Sequence, residues 1–121
     1  MPKLIEIKTF SDERGHLSVL EQNIPFAIKR VFYIYGVDNS VRGNHRHHKT
    51  IQAVICISGS CVICNNDGTI QEEFILDKPN KCLFLYPQDY HYMHSFSKDA
   101  ILLVLASENF NPNDYIYEPY K

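Results

Sequence analysis

The sequence predicts an all-β chain, a sandwich or a barrel. Short runs rich in Val, Ile, Phe and Tyr recur along it, separated by clusters of Gly, Asn, Asp, Ser and Pro. No helical period persists through the middle. A length of 121 residues without linker, repeat or low-complexity stretch makes one core and a single domain over 1–121.

The first expected strand, 3–9, runs into the turn Asp12-Glu13-Arg14-Gly15, and 16–21 follows it. The strand 28–35 carries Val31, Phe32, Tyr33 and Ile34 and ends at Val37-Asp38-Asn39-Ser40. The next is 42–48. Ser58-Gly59-Ser60 separates 51–57 from 60–65, and Asn65-Asn66-Asp67-Gly68 separates 60–65 from 70–76. Asp67-Gly68 is the strongest hairpin signal, because Gly tolerates the positive φ of a tight turn. Lys78-Pro79-Asn80 leads into 82–86, Pro87-Gln88-Asp89 into 92–97, and 101–107 is the last strand, with Asp89 read as a turn residue. The tail holds Phe110, Tyr115, Tyr117 and Tyr120. So many rings predict packing on the chain's own barrel or on a second subunit.

A net charge of −2 offers no nucleic-acid-binding surface. No apolar run is long enough to span a membrane. The start, Met1-Pro2-Lys3-Leu4-Ile5-Glu6, lacks the apolar region of a secretory signal, so the expected location is cytoplasmic. Of the four cysteines, Cys61 and Cys64 have a spacing that suits metal or redox sites. They fall on a strand, however, where residues three apart face opposite sides. Cys56, Cys61, Cys64 and Cys82 are therefore expected as buried, reduced thiols.

Three of the six histidines lie within Arg42-Gly43-Asn44-His45-Arg46-His47-His48. His45 and His47 are two apart, so on a strand their imidazoles share a face. Imidazole is both the commonest proton-transfer group near neutral pH and the commonest metal ligand. His48 faces away from the pair and is expected at solvent or an interface, as are His16 and Arg46. Lys29-Arg30 reads as an ordinary charged start to a strand.

The spacing from His45-x-His47 through Gln52 to Gly59 resembles the first cupin motif, and Tyr86-Pro87-Gln88-Asp89-Tyr90-His91 resembles the second. The resemblance implies a cupin double-stranded β-helix, a double-sheet jelly roll. A metal-binding cupin has Glu at the Gln52 position. A neutral amide is a much weaker ligand for a divalent cation. The second motif departs as well, with Asp89 for its Gly, a shorter gap to His91, and Ser95 for its Asn.

The wider pattern is similar to the sugar-nucleotide 3,4-ketoisomerases, cupins that act on dTDP-4-keto-6-deoxyglucose. It covers nearly the whole chain: Asp12-Glu13-Arg14-Gly15-His16-Leu17, Ile28-Lys29-Arg30-Val31-Phe32-Tyr33-Ile34, Arg42-Gly43-x-His45-x-His47-x-Lys49, Gln52-Ala53-Val54, His91-x-Met93-His94-x-Phe96-Ser97 and Val104-Leu105-Ala106-Ser107. This resemblance implies that His45 and His47 carry the proton transfers of a C4-to-C3 keto shift through an enediol, with His47 favoured as the base at C3. It requires neither metal nor redox cofactor. It implies Tyr33 as a donor to a sugar oxygen, Arg42 as a grip on the diphosphate or a ketone, and Arg14, Gln52, His91 and His94 as further substrate contacts. The expected assembly is a homodimer serving deoxyamino-sugar synthesis for bacterial surface glycans such as lipopolysaccharide or S-layer glycan. Two alternatives stand beside it: a metal-dependent cupin enzyme using His45, His47, Gln52 and His91, and a non-catalytic sugar-nucleotide-binding module.

Overall fold

The computed structural model describes residues 2–121. Two five-stranded antiparallel sheets face each other as a jelly roll, with a separate hairpin beside them. The first sheet runs in the order β1 (Lys3–Glu6), β9 (Lys81–Leu85), β6 (Gln52–Ser58), β11 (Ile101–Ala106), β4 (Arg30–Tyr35). The second runs β12 (Tyr115–Ile116), β5 (Arg42–His47), β10 (Tyr90–His94), β7 (Cys61–Asn66), β8 (Gln71–Leu76). The hairpin is β2 (Lys8–Asp12) with β3 (Gly15–Val19).

The expected strand 3–9 is in fact two. β1 pairs with β9, whereas β2 leaves the sheet to pair with β3. The break falls at Ile7, which is buried and donates its backbone N–H to Asn80 O at 2.6 Å. Apolar alternation runs through Ile7 without interruption, so nothing local marks the change of partner. The strand expected at 92–97 starts earlier and ends at His94, because Ser95 takes a φ of 56° that a strand cannot continue. The tail packs on its own barrel. It forms a short 3-10 turn, Pro112–Asp114, and then β12, which pairs Tyr115 with His47 and Ile116 with Arg46. Arg46 lies over the Tyr120 ring at 4.3 Å, and Tyr120 donates its hydroxyl to Gln88 O at 2.7 Å.

The core fills the space between the sheets with Val54, Ile63, Leu83, Met93, Leu102 and Val104, against which Phe32 and Ile34 pack. A second apolar layer covers the outer face of the first sheet, where Leu20, Ile24 and Phe26 lie over Ala53, Ile55 and Phe84. β6 is therefore buried on both faces, which its unbroken run Ala53-Val54-Ile55-Cys56 reflects. All four thiols are buried and free. Cys61 faces the inner core. Cys64 faces the outside of the second sheet, as strand geometry requires three residues on.

Candidate active site

The inner core leaves one end of the roll open, and β5 meets β10 there through a bulge. Gly43 stands opposite Tyr92 and His45 opposite His91, so Asn44 is the extra residue. Gly43 has a φ of 92° and Asn44 one of 62°. A Cβ on Gly43 would lie 3.0 Å from His91 O and 3.1 Å from Met93 Sδ. The close approach of β10 therefore demands glycine. The bulge brings His45 directly across from His91 while keeping His47 beside it.

Three imidazoles result. The ring centres of His45 and His47 are 4.9 Å apart, those of His45 and His91 5.0 Å, and those of His47 and His91 6.2 Å. His45 Nδ1 lies 3.1 Å from Gly43 O, and His91 Nδ1 lies 3.1 Å from Asp89 O. A carbonyl only accepts, so Nδ1 carries the proton in both rings and each Nε2 keeps its lone pair. His47 Nε2 is buried with no hydrogen-bond partner. Burial lowers the pKa of His45. Burial, then the neighbouring His45, pushes His47 down to about 4. The same two causes push His91 down to about 3. All three rings are thus uncharged bases at neutral pH.

The cluster opens onto a cavity of about 290 Å³ with Val54, Ile63, Met93 and Val104 as its apolar floor. His45, His91, Gln52 and Arg42 line it. His47 touches it through His45 and Tyr115 rather than lining it. Tyr33 borders it from the edge strand β4, but Phe32 and Ile34 take the inward positions. Its ring lies outside, 62% exposed and stacked on Tyr35 at 5.8 Å. Arg14 sits on the β2–β3 hairpin, in an ion pair with Asp12 at 2.6 Å, and does not line the cavity of its own chain. His94 does not line it either. Three residues after His91 it faces the other side of β10, where it stacks with Tyr92 at 6.0 Å. His48 is exposed, and Asp89 is a buried turn residue that accepts the Tyr86 N–H and the Asn65 amide.

Three residues of the site were not among those expected from the sequence. Tyr115 packs edge-on against both His45 and His47, each with ring centres 4.8 Å away. Arg30 lines the cavity, donates to Tyr115 Oη at 3.3 Å and lies over the Phe32 and Phe110 rings at 4.4 and 5.1 Å. It is a site residue rather than an ordinary strand-start charge. Its inward position was readable from the spacing of Arg30, Phe32 and Ile34. Asp114 accepts the Lys49 N–H at 2.8 Å and the Thr50 N–H at 3.3 Å, and it also bonds the Thr50 hydroxyl. Burial opposes its ionisation, but the bonds from Thr50 and Lys49 outweigh that and hold its carboxyl below the usual range. Asp114 thereby ties the end of β5 to the segment that delivers Tyr115. Nothing in the local sequence marks it.

Comparison with known proteins places this arrangement. A TDP-4-oxo-6-deoxy-alpha-D-glucose-3,4-oxoisomerase from Aneurinibacillus thermoaerophilus is 42% identical, over 98% of this chain and 89% of its own. The crystal structure of a 3,4-ketoisomerase from Helicobacter canadensis is 41% identical with a TM-score of 0.92, over 97% of this chain and 90% of its own. A variant of the 3,4-ketoisomerase QdtA from Thermoanaerobacterium thermosaccharolyticum, in complex with TDP-4-keto-6-deoxyglucose, is 38% identical with a TM-score of 0.93, over 97% and 87% of the two chains. Residues 1–121 match the family described as FdtA: WxcM-like, C-terminal. The jelly roll with its histidine-lined mouth is therefore a cupin of the FdtA (WxcM-like, C-terminal) family, to which this chain belongs.

Proposed function

We propose that the protein is a dTDP-4-keto-6-deoxy-D-glucose 3,4-ketoisomerase. The observation that carries the reading is the cluster of uncharged imidazoles with free Nε2 atoms at the mouth of the roll. The C4 ketone acidifies the C3 hydrogen, and a neutral imidazole removes it. The electron pair forms the C3–C4 double bond as the C4 oxygen takes up a proton, giving an enediol. The C3 hydroxyl then gives up its proton as C4 takes one, and the ketone is left at C3. His45 and His47 carry these transfers, with His47 as the C3 base. Catalytic contacts often close only once the substrate is in place. The Arg30–Tyr115 pair stands where donors are needed for the developing oxyanion. Arg42 at the rim grips the ketone or the diphosphate, as its planar donors suit. Gln52 and His91 contact the sugar from the cavity wall, and Tyr33 from the rim. Arg14 and His94 lie outside the cavity and have no part in this one-chain reading.

The test is incubation with dTDP-4-keto-6-deoxyglucose in deuterated buffer, followed by NMR. The expected product is a 3-keto sugar carrying deuterium at C4. Failure to form it overturns the reading.

The assembly we propose is a homodimer. The β2–β3 hairpin presents Phe10 and Leu17 as cross-strand partners, 55% and 61% exposed. The edge strand β4 exposes Val31, Tyr33 and Tyr35. So much apolar surface is unusual on a small monomer. Sedimentation equilibrium should give twice the chain mass, and Leu17→Glu should shift it towards the monomer. A wild-type monomer at micromolar concentration would sink the proposal. Free thiols suit the reducing cytoplasm. No helix among the described residues is long and apolar enough to cross a membrane. The product would feed deoxyamino sugars of bacterial surface glycans.

A further inference from the structure

Cys64, Glu73 and His94 come together on the outer face of the second sheet, away from the histidine cavity. They stand on β7, β8 and β10. Cys64 pairs directly with Glu73 on one side and with Tyr92 on the other. His94, two residues past Tyr92, is therefore its diagonal neighbour on the same face. Cys64 Sγ lies 3.3 Å from His94 Nε2 and 3.6 Å from Glu73 Oε1. One ligand atom from each residue lies within 4.8 Å of the other two.

Hydrogen bonding gives one use of this geometry, the thiol donating to Glu73 and accepting from a His94 Nε2–H. With the thiol ionised and Nε2 unprotonated, the same three atoms present lone pairs to a shared cation. Zn–S bonds of about 2.3 Å and Zn–N or Zn–O bonds of about 2.0–2.1 Å, at tetrahedral angles, set ligand atoms roughly 3.5 Å apart. The two measured separations straddle that value.

The surroundings fit as well. His94 Nδ1 lies 2.7 Å from Ser95 Oγ. When Nδ1–H donates to that hydroxyl, Nε2 presents its lone pair to Cys64, the outer-partner arrangement of metal-bound histidines. Ser95 holds its hydroxyl there from a φ of 56°, a conformation with a cost for a non-glycine residue. Cys64 and Glu73 also border an open groove whose described lining includes Glu72 and Asn65 and no Lys or Arg. That leaves a cation a fourth position open to water.

We propose that Cys64, Glu73 and His94 form a site for a divalent cation of the zinc class, independent of the isomerase centre. A thiolate, an imidazole and a carboxylate match the ligand preferences of zinc. On binding, the Cys64 S–H bond breaks, its proton passes to solvent and the sulfur bonds the metal. The ion would clip the edge strand β8 to β7 and β10.

The test uses the full chain, prepared without a tag and stripped with chelator, titrated with Co²⁺ and then Zn²⁺. The expected result is a thiolate-to-cobalt charge-transfer band that saturates at one equivalent and is displaced by zinc. Cys64→Ser should remove the band. Glu73→Gln, an exposed change, should weaken cobalt binding by more than about tenfold, because even outer-shell partners are worth that much. A double variant, His45→Asn with His47→Asn, should leave the band unchanged. Absence of the band from the wild type, its survival in Cys64→Ser, its loss with the cavity histidines, or unchanged affinity in Glu73→Gln would each overturn the site. Glu73→Gln decides the matter alone if Cys64→Ser fails to fold.

Discussion

Replacing His47 with Asn lowers kcat by about 10²- to 10⁴-fold, the range for loss of a positioned general base. The dissociation constant for dTDP stays within a few-fold. His47 Nε2 is buried and unpartnered, so no structural hydrogen bond is lost when it goes. Asn also keeps a polar amide near the position of Nδ1. His45→Asn is the companion. Its amide N–H₂ can replace Nδ1 as donor to Gly43 O, so the bulge that places His91 survives. Its turnover should also fall. Single-turnover rates and calorimetric titration with dTDP separate the two roles. If turnover and nucleotide binding vanish together in His47→Asn, the pair is architectural and the mechanism falls. In the wild type, a base held down to about 4 keeps its lone pair through the whole neutral range. kcat should therefore be flat from pH 8 down to about 5 and decline below that.

Most strand positions and the His45–His47 pair were legible because runs of β-forming residues between turn signals mark the strands, and the two-residue period of a strand puts the pair on one face. The same period also separates His94 from His91, and it puts Arg30 on the inward face with Phe32 and Ile34. Both placements were readable from the sequence on that ground. The split at Ile7 was not legible, because the choice of β9 or β3 as partner is a tertiary decision. Tyr115 and Asp114 were hidden for a different reason. They reach the site through a two-residue strand and a turn, far along the chain from the histidines they support. Aromatic composition predicted that the tail would pack, but composition does not say on what. Gln52 was legible as a departure from a metal-binding pattern. The burial that keeps the neighbouring imidazoles uncharged is supplied only by the fold.

That burial has a thermodynamic consequence. Acidification from pH 7 to 4.5 destabilises the protein by about 5 kcal/mol from His47 and His91 alone. An unfolded histidine titrates near 6.5. In the folded chain His47 is held at about 4 and His91 at about 3, chiefly by burial. Both are under 5% exposed, so solvent screening takes little away. At pH 7 the rings are neutral in the folded chain and mostly neutral in the unfolded one, so they contribute little. As the pH falls below 6.5 the unfolded chain takes up protons that the folded chain refuses. The unfolded state then binds more protons, so stability rises with pH across this window and is lost on descent. At pH 4.5 each group contributes about 2–3 kcal/mol of destabilisation. Together they rival a large share of the roughly 5–15 kcal/mol that holds a typical domain. The carboxylates with lowered values, Asp114 among them, act mainly at still lower pH, since an unfolded Asp titrates near 3.9. Urea unfolding of the wild type at the two pH values measures the total. His91→Asn removes one of the two titrations, so its loss between pH 7 and 4.5 should be smaller by about 2–3 kcal/mol, whatever its stability at pH 7. An identical pH dependence in the two proteins would mean that His91 can accept a proton in the folded state. In that case His91 would not be held as the neutral imidazole that the reading of the site assumes.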